Sequence, residues 1–295
     1  MTAQFPTKRH KTITTRGGAK LTIPGGMQVP ADFRYVETKD YLIEKCMAAW
    51  ATTGGDGLPL DFRLVGPPGV GKNVTVYALA ARRQQPLYIV QGHEELTAED
   101  LVVSATLASG GKVKYIASPL LAAMREGAIC FIDEIAKMRP RALAPLASVL
   151  DQRRSIYSSL LGEEFPAHPD FRFCAAYNPT DADAFDLAPW LKRRTLPELE
   201  VSLPDVETLE EIIRLHDVAD GTLCHTVISR LREMSKGHRV NIDAGTAIRL
   251  MTYIRRLDCL RSDGDIPLGD VVEIAIRTIA GQGINKRKGE PEEEE

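Results

Sequence analysis

The chain has 295 residues, of which 44% are apolar and 26% charged, with a formal net charge of −3. This balance is typical of a globular protein with one or two domains and a buried core. The charge gives no sign of nucleic-acid binding, and no apolar run is long enough to predict a membrane-spanning helix.

Residues 1–30 are rich in Thr, Gly and Lys, and we expect an extended N-terminal arm. Their basic residues precede no apolar stretch, which argues against a secretory signal. The five cysteines are scattered without a C-x-x-C pair, so they are interpreted as buried, reduced thiols. A cytoplasmic location is therefore expected.

A helix is predicted over 38–51, and five short apolar runs follow it. Runs this short and continuous are typical of strands buried on both faces. They are Phe62–Val65, Leu87–Val90, Ala128–Ile132, Phe171–Tyr177 and Leu199–Leu203. Helical patterns lie between them, at Lys72–Gln84, Pro119–Glu126 and Arg141–Asp151. Strands alternating with helices predict an α/β fold, with a five-stranded parallel sheet and helices on both faces.

After Pro204 the pattern becomes helical throughout. The predicted helices are Asp205–His216, Leu223–Ser235, Asp243–Leu257 and Leu268–Ala280. We therefore expect an α/β core over 31–203 and a small all-helical lid over 204–285. The remaining residues, 286–295, are predicted to be a charged, disordered tail.

The stretch GPPGVGKN lies between a predicted strand and a predicted helix. It matches the phosphate-binding loop G-x-x-x-x-G-K-[ST] except at its last position, which is Asn. Backbone N–H groups, the helix N-terminus and a lysine would together bind phosphate. The expected nucleotide-binding residues are Gly66, Pro67, Pro68, Gly69, Val70, Gly71, Lys72, Asn73 and Val74.

Two acids end the third apolar run, AICFIDE. The carboxyl ends of parallel strands carry the ligand sites of such sheets. We expect Asp133 to hold magnesium through water, and Glu134 to polarise the attacking water. Asn73 would be the second metal ligand, because its amide oxygen is hard, although it is neutral and one bond further out than a hydroxyl.

Two further polar groups complete the set. Asn178, at the end of the fourth run, could position the attacking water, or start a turn with Pro179, or do both. Arg193, with Arg194 as the alternative, could neutralise charge on a phosphate of a neighbouring subunit. An isolated Lys-Arg-Arg run is otherwise a solvated basic cluster.

In this order and spacing, the motifs resemble those of AAA+ ATPases, and more narrowly of the MoxR-like branch, from about Thr38 to Ala280. The segments GHEELTAEDL, LLAAMREGAICFIDEIAKMRP and PDFRFCAAYNP support the narrower resemblance. It implies an ATPase that uses ATP and Mg²⁺. Lys72 would belong to Walker A, Asp133 and Glu134 to Walker B and Asn178 to sensor 1, and Arg193 would be the arginine finger.

The resemblance also implies a ring, usually a hexamer, with nucleotide between subunits, that remodels a client protein. A von Willebrand factor A protein is the expected class of partner. The alternative is a nucleotide-gated assembly scaffold with weak turnover. Asn73 favours this alternative, as does the lack of an arginine at the usual place in the lid, where Arg239 and Arg249 fit poorly.

Two insertions of that branch have counterparts here. In the hairpin over 107–118, Tyr115 either grips a substrate or packs underneath the hairpin. In the second hairpin, over 153–171, we expect Glu163 and Glu164 at the tip. An acidic tip argues against a nucleic-acid motor, because such proteins bind phosphates with basic residues.

Overall fold

The computed structural model describes residues 5–7, 9–37, 40–52, 57–107, 110–216, 221–234, 243–260 and 268–279. The predicted tail and Arg239 lie outside these residues. The chain divides into two compact units. The first comprises Met1–Pro67 and Lys72–Val201, and the second comprises Pro68–Gly71 and Ser202–Glu295.

A five-stranded parallel sheet forms the centre of the first unit, as predicted. Its strands are β3 (Phe62–Val65), β4 (Leu87–Gln91), β7 (Ile129–Asp133), β10 (Arg172–Tyr177) and β11 (Glu198–Glu200). Their spatial order is β11-β3-β10-β7-β4, and every neighbouring pair is parallel. All residues of β3 and β7 are buried. Because successive side chains point to opposite faces, both faces of the sheet are covered.

The helices of the first unit are α1 (Leu42–Trp50), α2 (Lys72–Arg83), α3 (Pro119–Glu126), α4 (Leu146–Val149) and α5 (Pro189–Arg194). The helix predicted over Arg141–Asp151 is wrong in length, since only α4 is α-helical. Pro145 has no N–H to donate, and the preceding residues form tight i→i+3 turns such as Ala142 N to Arg139 O. Short 3₁₀ helices lie at Glu99–Leu101 and Ile135–Lys137.

The N-terminal segment forms a β-hairpin rather than a plain extended arm. Its strands, β1 (Lys11–Thr14) and β2 (Lys20–Ile23), join β5 (Val103–Leu107) and β6 (Val113–Ala117) in the order β1-β2-β6-β5. Tyr115 is opposite Leu21 in this sheet and packs against the main hydrophobic cluster. Of the two interpretations of Tyr115, packing beneath the hairpin agrees with its half-buried position.

The same segment also reaches the central sheet. Met27 exchanges two backbone hydrogen bonds with Leu87, the first residue of the outermost strand β4, at 2.8 and 2.9 Å. Phe5 and Phe33 contact Tyr77 of α2 edge-on, with ring centroids 5.5 and 6.2 Å away. The N-terminal residues are therefore packed on the core of the first unit.

A second hairpin consists of β8 (Ser155–Ser158) and β9 (Glu163–Pro166). The expectation that Glu163 and Glu164 form its tip is wrong, because both lie within β9. The Glu164 carboxylate accepts a hydrogen bond from Ser155 Oγ at 2.6 Å, and that of Glu163 accepts one from Arg16 N at 2.9 Å. Glu164 thus joins the two strands of the hairpin, and Glu163 ties the hairpin to the N-terminal segment.

The second unit contains four α-helices among its described residues: α6 (Val206–Leu215), α7 (Gly221–Met234), α8 (Ala244–Leu260) and α9 (Leu268–Ile279). Asp205 and Asp243 cap α6 and α8, each accepting a backbone hydrogen bond at 2.8 Å. Side chains from all four helices form one hydrophobic cluster. No helix in the described part of the chain is long and apolar enough to span a membrane. Four cysteines are buried, but Cys259 on α8 is exposed, contrary to expectation.

Candidate active site

The sequence-predicted polar residues meet at the carboxyl edge of the central sheet. Tyr177 of β10 is in register with Val65 of β3, and the N–H of Gly66 lies 3.4 Å from the Tyr177 carbonyl. On the other side, β10 pairs with β7, which ends at Asp133. The phosphate-loop motif, the two acids and Asn178 therefore follow three adjacent strands, where ligands of parallel sheets bind.

The loop between β3 and α2 has the backbone of a phosphate-binding turn. Gly69 and Gly71 have φ of +80° and +99°, in the region that favours glycine. Lys72 begins α2, and its ammonium donates to the carbonyls of Gly66 and Pro67 at 2.7 and 2.9 Å. Lys72 is buried, with 7% of its surface exposed.

Burial lowers the pKa of Lys72, and the charges of Glu134 and Asp133 oppose this shift. The ammonium hydrogen bonds to loop carbonyls only, and no carboxylate forms an ion pair with it among the described residues. A buried cation without a direct counter-charge at a helix N-terminus fits a phosphate group.

Asn73 and Asp133 contact each other directly, since Asn73 Nδ2 donates to Asp133 Oδ2 at 2.8 Å. The other carboxylate oxygen of Asp133 accepts the Glu134 N–H at 3.0 Å. Among the described residues, no group of three or more His, Cys, Asp or Glu side chains could hold a metal alone. One carboxylate and one amide oxygen fit Mg²⁺, which usually keeps several waters and binds substrate phosphates. Val74, in the first turn of α2, is exposed.

Glu134 occupies a left-handed turn at the end of β7, with φ 55° and ψ 41°. The neighbouring strand passes very close to this turn. A Cβ at Gly92 would lie 2.3 Å from the carbonyl oxygen of Glu134, so only glycine fits there. Gly92 also donates its N–H to the Asp133 carbonyl at 2.7 Å. Gly92, which sequence reasoning had not singled out, thus shapes the turn that presents Glu134.

Asn178 is buried and starts a turn. Its Oδ1 accepts hydrogen bonds from the N–H and hydroxyl of Thr180 at 3.2 and 2.9 Å. Its Nδ2 group makes no hydrogen bond to any described residue. The turn interpretation therefore agrees with the geometry, and the side chain still has a donor to offer to a ligand.

Lys137 was missed from the sequence. Its ammonium lies 3.6 Å from Glu134 Oε2 and 3.0 Å from Asp181 Oδ2. The contact with Asp181 raises the pKa of Lys137, and the charge of Glu134 adds to the rise. The bond from Lys137 conversely lowers the pKa of Asp181. Lys137 thus links the Glu134 turn to the turn after Asn178.

The two arginines at the end of α5 differ in their surroundings. Arg194 donates to the Ala147 carbonyl, lies 3.6 Å from Asp151 Oδ2 and stacks on Trp190. Arg193 is exposed and forms no hydrogen bond or ion pair with the described residues. Arg194 is therefore engaged within its own chain, whereas Arg193 is exposed to solvent. In the second unit, Arg249 is exposed on α8.

A buried arginine, also missed from the sequence, holds the end of α5. Arg63 lies within β3 and is 6% exposed. Its guanidinium donates to the carbonyls of Lys192 and Thr195 at 2.7 and 2.9 Å, and to Glu198 Oε2 at 2.6 Å. A cation bonded to the last carbonyls of a helix stabilises that end. Arg63 thereby fixes the helix end that carries Arg193.

Comparisons with known proteins agree with this architecture. Residues 61–195 match the AAA domain of the dynein-related subfamily. Protein NorQ of Paracoccus denitrificans is 31% identical over 212 residues, which cover 72% of this chain and 77% of NorQ. Protein CbbQ of Hydrogenophilus thermoluteolus is 32% identical over 215 residues, which cover 72% of this chain and 76% of CbbQ.

The fold also matches the RuvB Holliday junction branch migration motor of Thermotoga maritima. The TM-score is 0.53 at 20% identity, over 81% of this chain and 69% of that one. The phosphate loop and the domain match place the chain in the AAA+ class of P-loop proteins, and the RuvB match shows the same fold. At the identity shared with NorQ and CbbQ, the chain belongs to the MoxR family of AAA+ ATPases.

Proposed function

We propose that the protein binds ATP with Mg²⁺ and hydrolyses it at the subunit interfaces of a ring, to remodel or activate a partner protein. The observation that carries the proposal is the convergence of Lys72, Asn73, Asp133, Glu134 and Asn178 at one sheet edge. When bound, ATP and Mg²⁺ supply the phosphoanhydride to be cleaved and the charge that polarises it.

Each residue of this group has a role that its surroundings support. The loop N–H groups and Lys72 bind phosphate oxygens, and Asn73 and Asp133 offer hard oxygens to the metal. Glu134 polarises the attacking water, and the free Nδ2 donor of Asn178 orients it. The close packing of Gly92 under Glu134 keeps the carboxylate at the sheet edge.

A ring is supported by Arg193. An exposed arginine without a hydrogen-bond or ion-pair partner among the described residues suits the role of a finger that reaches a neighbouring subunit's nucleotide. Arg194 anchors the end of α5 to the region of α4, because its guanidinium bonds to the Ala147 carbonyl and lies near Asp151. We infer a hexamer from the resemblance to MoxR proteins.

The partner is proposed to be another protein rather than nucleic acid. One relative is the denitrification regulatory protein NirQ of Pseudomonas aeruginosa, 27% identical over 76% of this chain and 83% of NirQ. That name describes a regulatory protein, and we infer a regulatory role for this chain as well. A client with a von Willebrand factor A domain remains the expected class.

ATPase assays with light scattering test the proposal. We expect wild-type protein to hydrolyse ATP as an oligomer, and Glu134→Gln and Arg193→Ala to be inactive alone. Mixing these two variants should restore activity, because some interfaces then combine an intact Glu134 with an intact Arg193 from the neighbour. Hydrolysis by monomers, or no recovery in mixed oligomers, would contradict catalysis at subunit interfaces.

Asn73 supports a second candidate, a nucleotide-gated scaffold with weak turnover. Its amide replaces the hydroxyl that ligates magnesium in the common motif. Under the leading proposal, Asn73→Thr leaves kcat within about threefold of wild type, which corresponds to less than ~1 kcal/mol of barrier. A rise of tenfold or more would show that the natural site is attenuated and would favour the scaffold.

A further inference from the structure

We propose that Lys137 is a positioning residue, which couples the carboxylate of Glu134 to the turn that follows Asn178. This inference rests on the proposed function, because it assigns to Lys137 an effect on the hydrolytic step. Among the described residues, the ion-pair partners of Lys137 are Glu134 and Asp181, and an ammonium group is not a metal ligand. It acts through the two groups proposed to hold the attacking water.

The geometry carries the first step of the argument. Lys137 is three residues after Glu134, in the 3₁₀ helix that begins at Ile135. Its ammonium lies between two carboxylates, 3.0 Å from Asp181 and 3.6 Å from Glu134. A single lysine therefore bridges residues that follow two adjacent strands, β7 and β10.

The second step concerns how the Asp181 end of the bridge is tied to Asn178. Asp181 donates its N–H to the Asn178 carbonyl at 3.3 Å, and Thr180 binds the Asn178 side chain. Further along, the Phe185 N–H donates to the Ala136 carbonyl at 2.7 Å. The Lys137 bridge and this backbone bond together connect the two loops at two points. A shift of Asn178 would therefore be transmitted to Glu134.

The third step is the exposure of the bridge. Lys137, Glu134 and Asp181 keep 35%, 26% and 21% of their side-chain surfaces exposed. Isolated pairs of this kind contribute little to stability. A bridge that adds little stability but joins Glu134 to the turn after Asn178 fits a role in orienting these two groups. In catalysis, a 1 Å misplacement of such a group can lower the rate about 100-fold.

Steady-state kinetics of Lys137→Met test the inference. We expect kcat to fall about tenfold while the Kd for a fluorescent ATP analogue changes less than twofold, because orientation and not binding is lost. Lys137→Arg keeps the charge and should recover most of the rate. Arg139→Met is the matched control, since it removes an exposed pair with Glu94 from the same segment without touching Glu134.

A double-mutant cycle separates coupling from a general loss of structure. If both residues act through one bridge, Lys137→Met combined with Asp181→Asn should lower kcat no more than either change alone. In the nucleotide-free protein, Lys137→Met should also accelerate amide exchange over residues 180–185. If Lys137→Met does not fold, Asp181→Asn alone tests the same bridge.

The outcomes distinguish this inference from the proposed function. Wild-type protein that hydrolyses no ATP overturns the proposed function. An active wild type with an unchanged Lys137→Met, with Arg139→Met equally slow, or with additive effects in the cycle overturns the coupling role alone.

Discussion

Asn73 Nδ2 donates a hydrogen bond to Asp133 Oδ2 at 2.8 Å, which joins the last residue of the phosphate-loop motif to the acid that ends β7. This amide donates to a carboxylate on a residue that is only 8% exposed. Asn73, the residue that departs from the common motif, is therefore hydrogen-bonded to a predicted metal ligand of the site.

From this contact we predict that Asn73→Asp makes the stability of the protein dependent on magnesium. Two carboxylates that share a site repel each other, so the metal-free variant should lose about 1–2 kcal/mol of unfolding free energy. Millimolar Mg²⁺ should restore it. Urea unfolding with and without Mg²⁺ measures this, and Asn73→Ala, which adds no charge, should show no comparable response.

Arg193 and Arg194 should differ in their effect on stability. Arg194→Ala removes the bond to the Ala147 carbonyl and the stacking on Trp190, so we expect a loss of about 1–2 kcal/mol. Arg193→Ala should stay within ~0.5 kcal/mol of wild type. Urea titrations of both nucleotide-free variants provide the comparison, and equal losses would contradict the different surroundings described for the two side chains.

Substitution of Arg63 should lower the unfolding free energy more than substitution of most other charged residues in the first unit. Lysine in its place cannot reach the Lys192 and Thr195 carbonyls and Glu198 together, because it lacks the planar fork of donors. We expect Arg63→Lys to lower the unfolding free energy by about 3 kcal/mol or more. Arg82→Lys is the control, since its pair with Glu44 is exposed and should change stability by less than ~1 kcal/mol.

Asp61 should make the fold less stable as the pH rises. Burial raises the pKa of Asp61 from 3.8 to about 6, although Arg154 opposes the shift. The folded state therefore holds this proton more tightly than the unfolded chain, and the associated stability is lost between pH 3.8 and about 6. At ~1.4 kcal/mol per pKa unit, the loss is about 3 kcal/mol.

The Asp61 prediction is checked by urea unfolding of wild type and Asp61→Asn across this pH range. In Asp61→Asn, the unfolding free energy should lack the decline attributed to Asp61 over this pH range, whatever the stability of the variant at neutral pH. Asp186→Asn is a suitable control, because that carboxylate is exposed and pairs only with Lys192 among the described residues. A wild-type profile that matches the Asp61→Asn profile would contradict the raised pKa.

The parallel core was predictable because its signals are local. Each buried strand is a short apolar run, and the motif GPPGVGKN by itself predicts a strand before it and a helix after it. Because Lys72, Asp133 and Asn178 each lie at or after the carboxyl end of a predicted parallel strand, their meeting at one edge of the sheet was also predictable. The α-helix in 141–151 is shorter than predicted, because Pro145 lacks the N–H that would bond to the Arg141 carbonyl.

The partners of Arg63 and Lys137 could not be predicted from the sequence. Arg63 lies in an apolar run, and its acceptors are 129 to 135 residues away along the chain. The Lys137 bridge likewise depends on Asp181, which approaches only after β7 and β10 pair. The Asn73 contact needed coordinates too, because the donor and acceptor are 60 residues apart. Such contacts follow from topology rather than from local pattern.

The N-terminal segment determines how short a fragment of the first unit can be and still fold. Leu87 of the outermost strand β4 is paired by Met27, and the Trp50 indole donates to the Phe173 carbonyl at 3.1 Å. A fragment cut to the matched residues 61–195 would expose that strand edge and remove the buried Trp50 contact with β10. An independently stable fragment must therefore begin well upstream of the matched segment, at or before Met27.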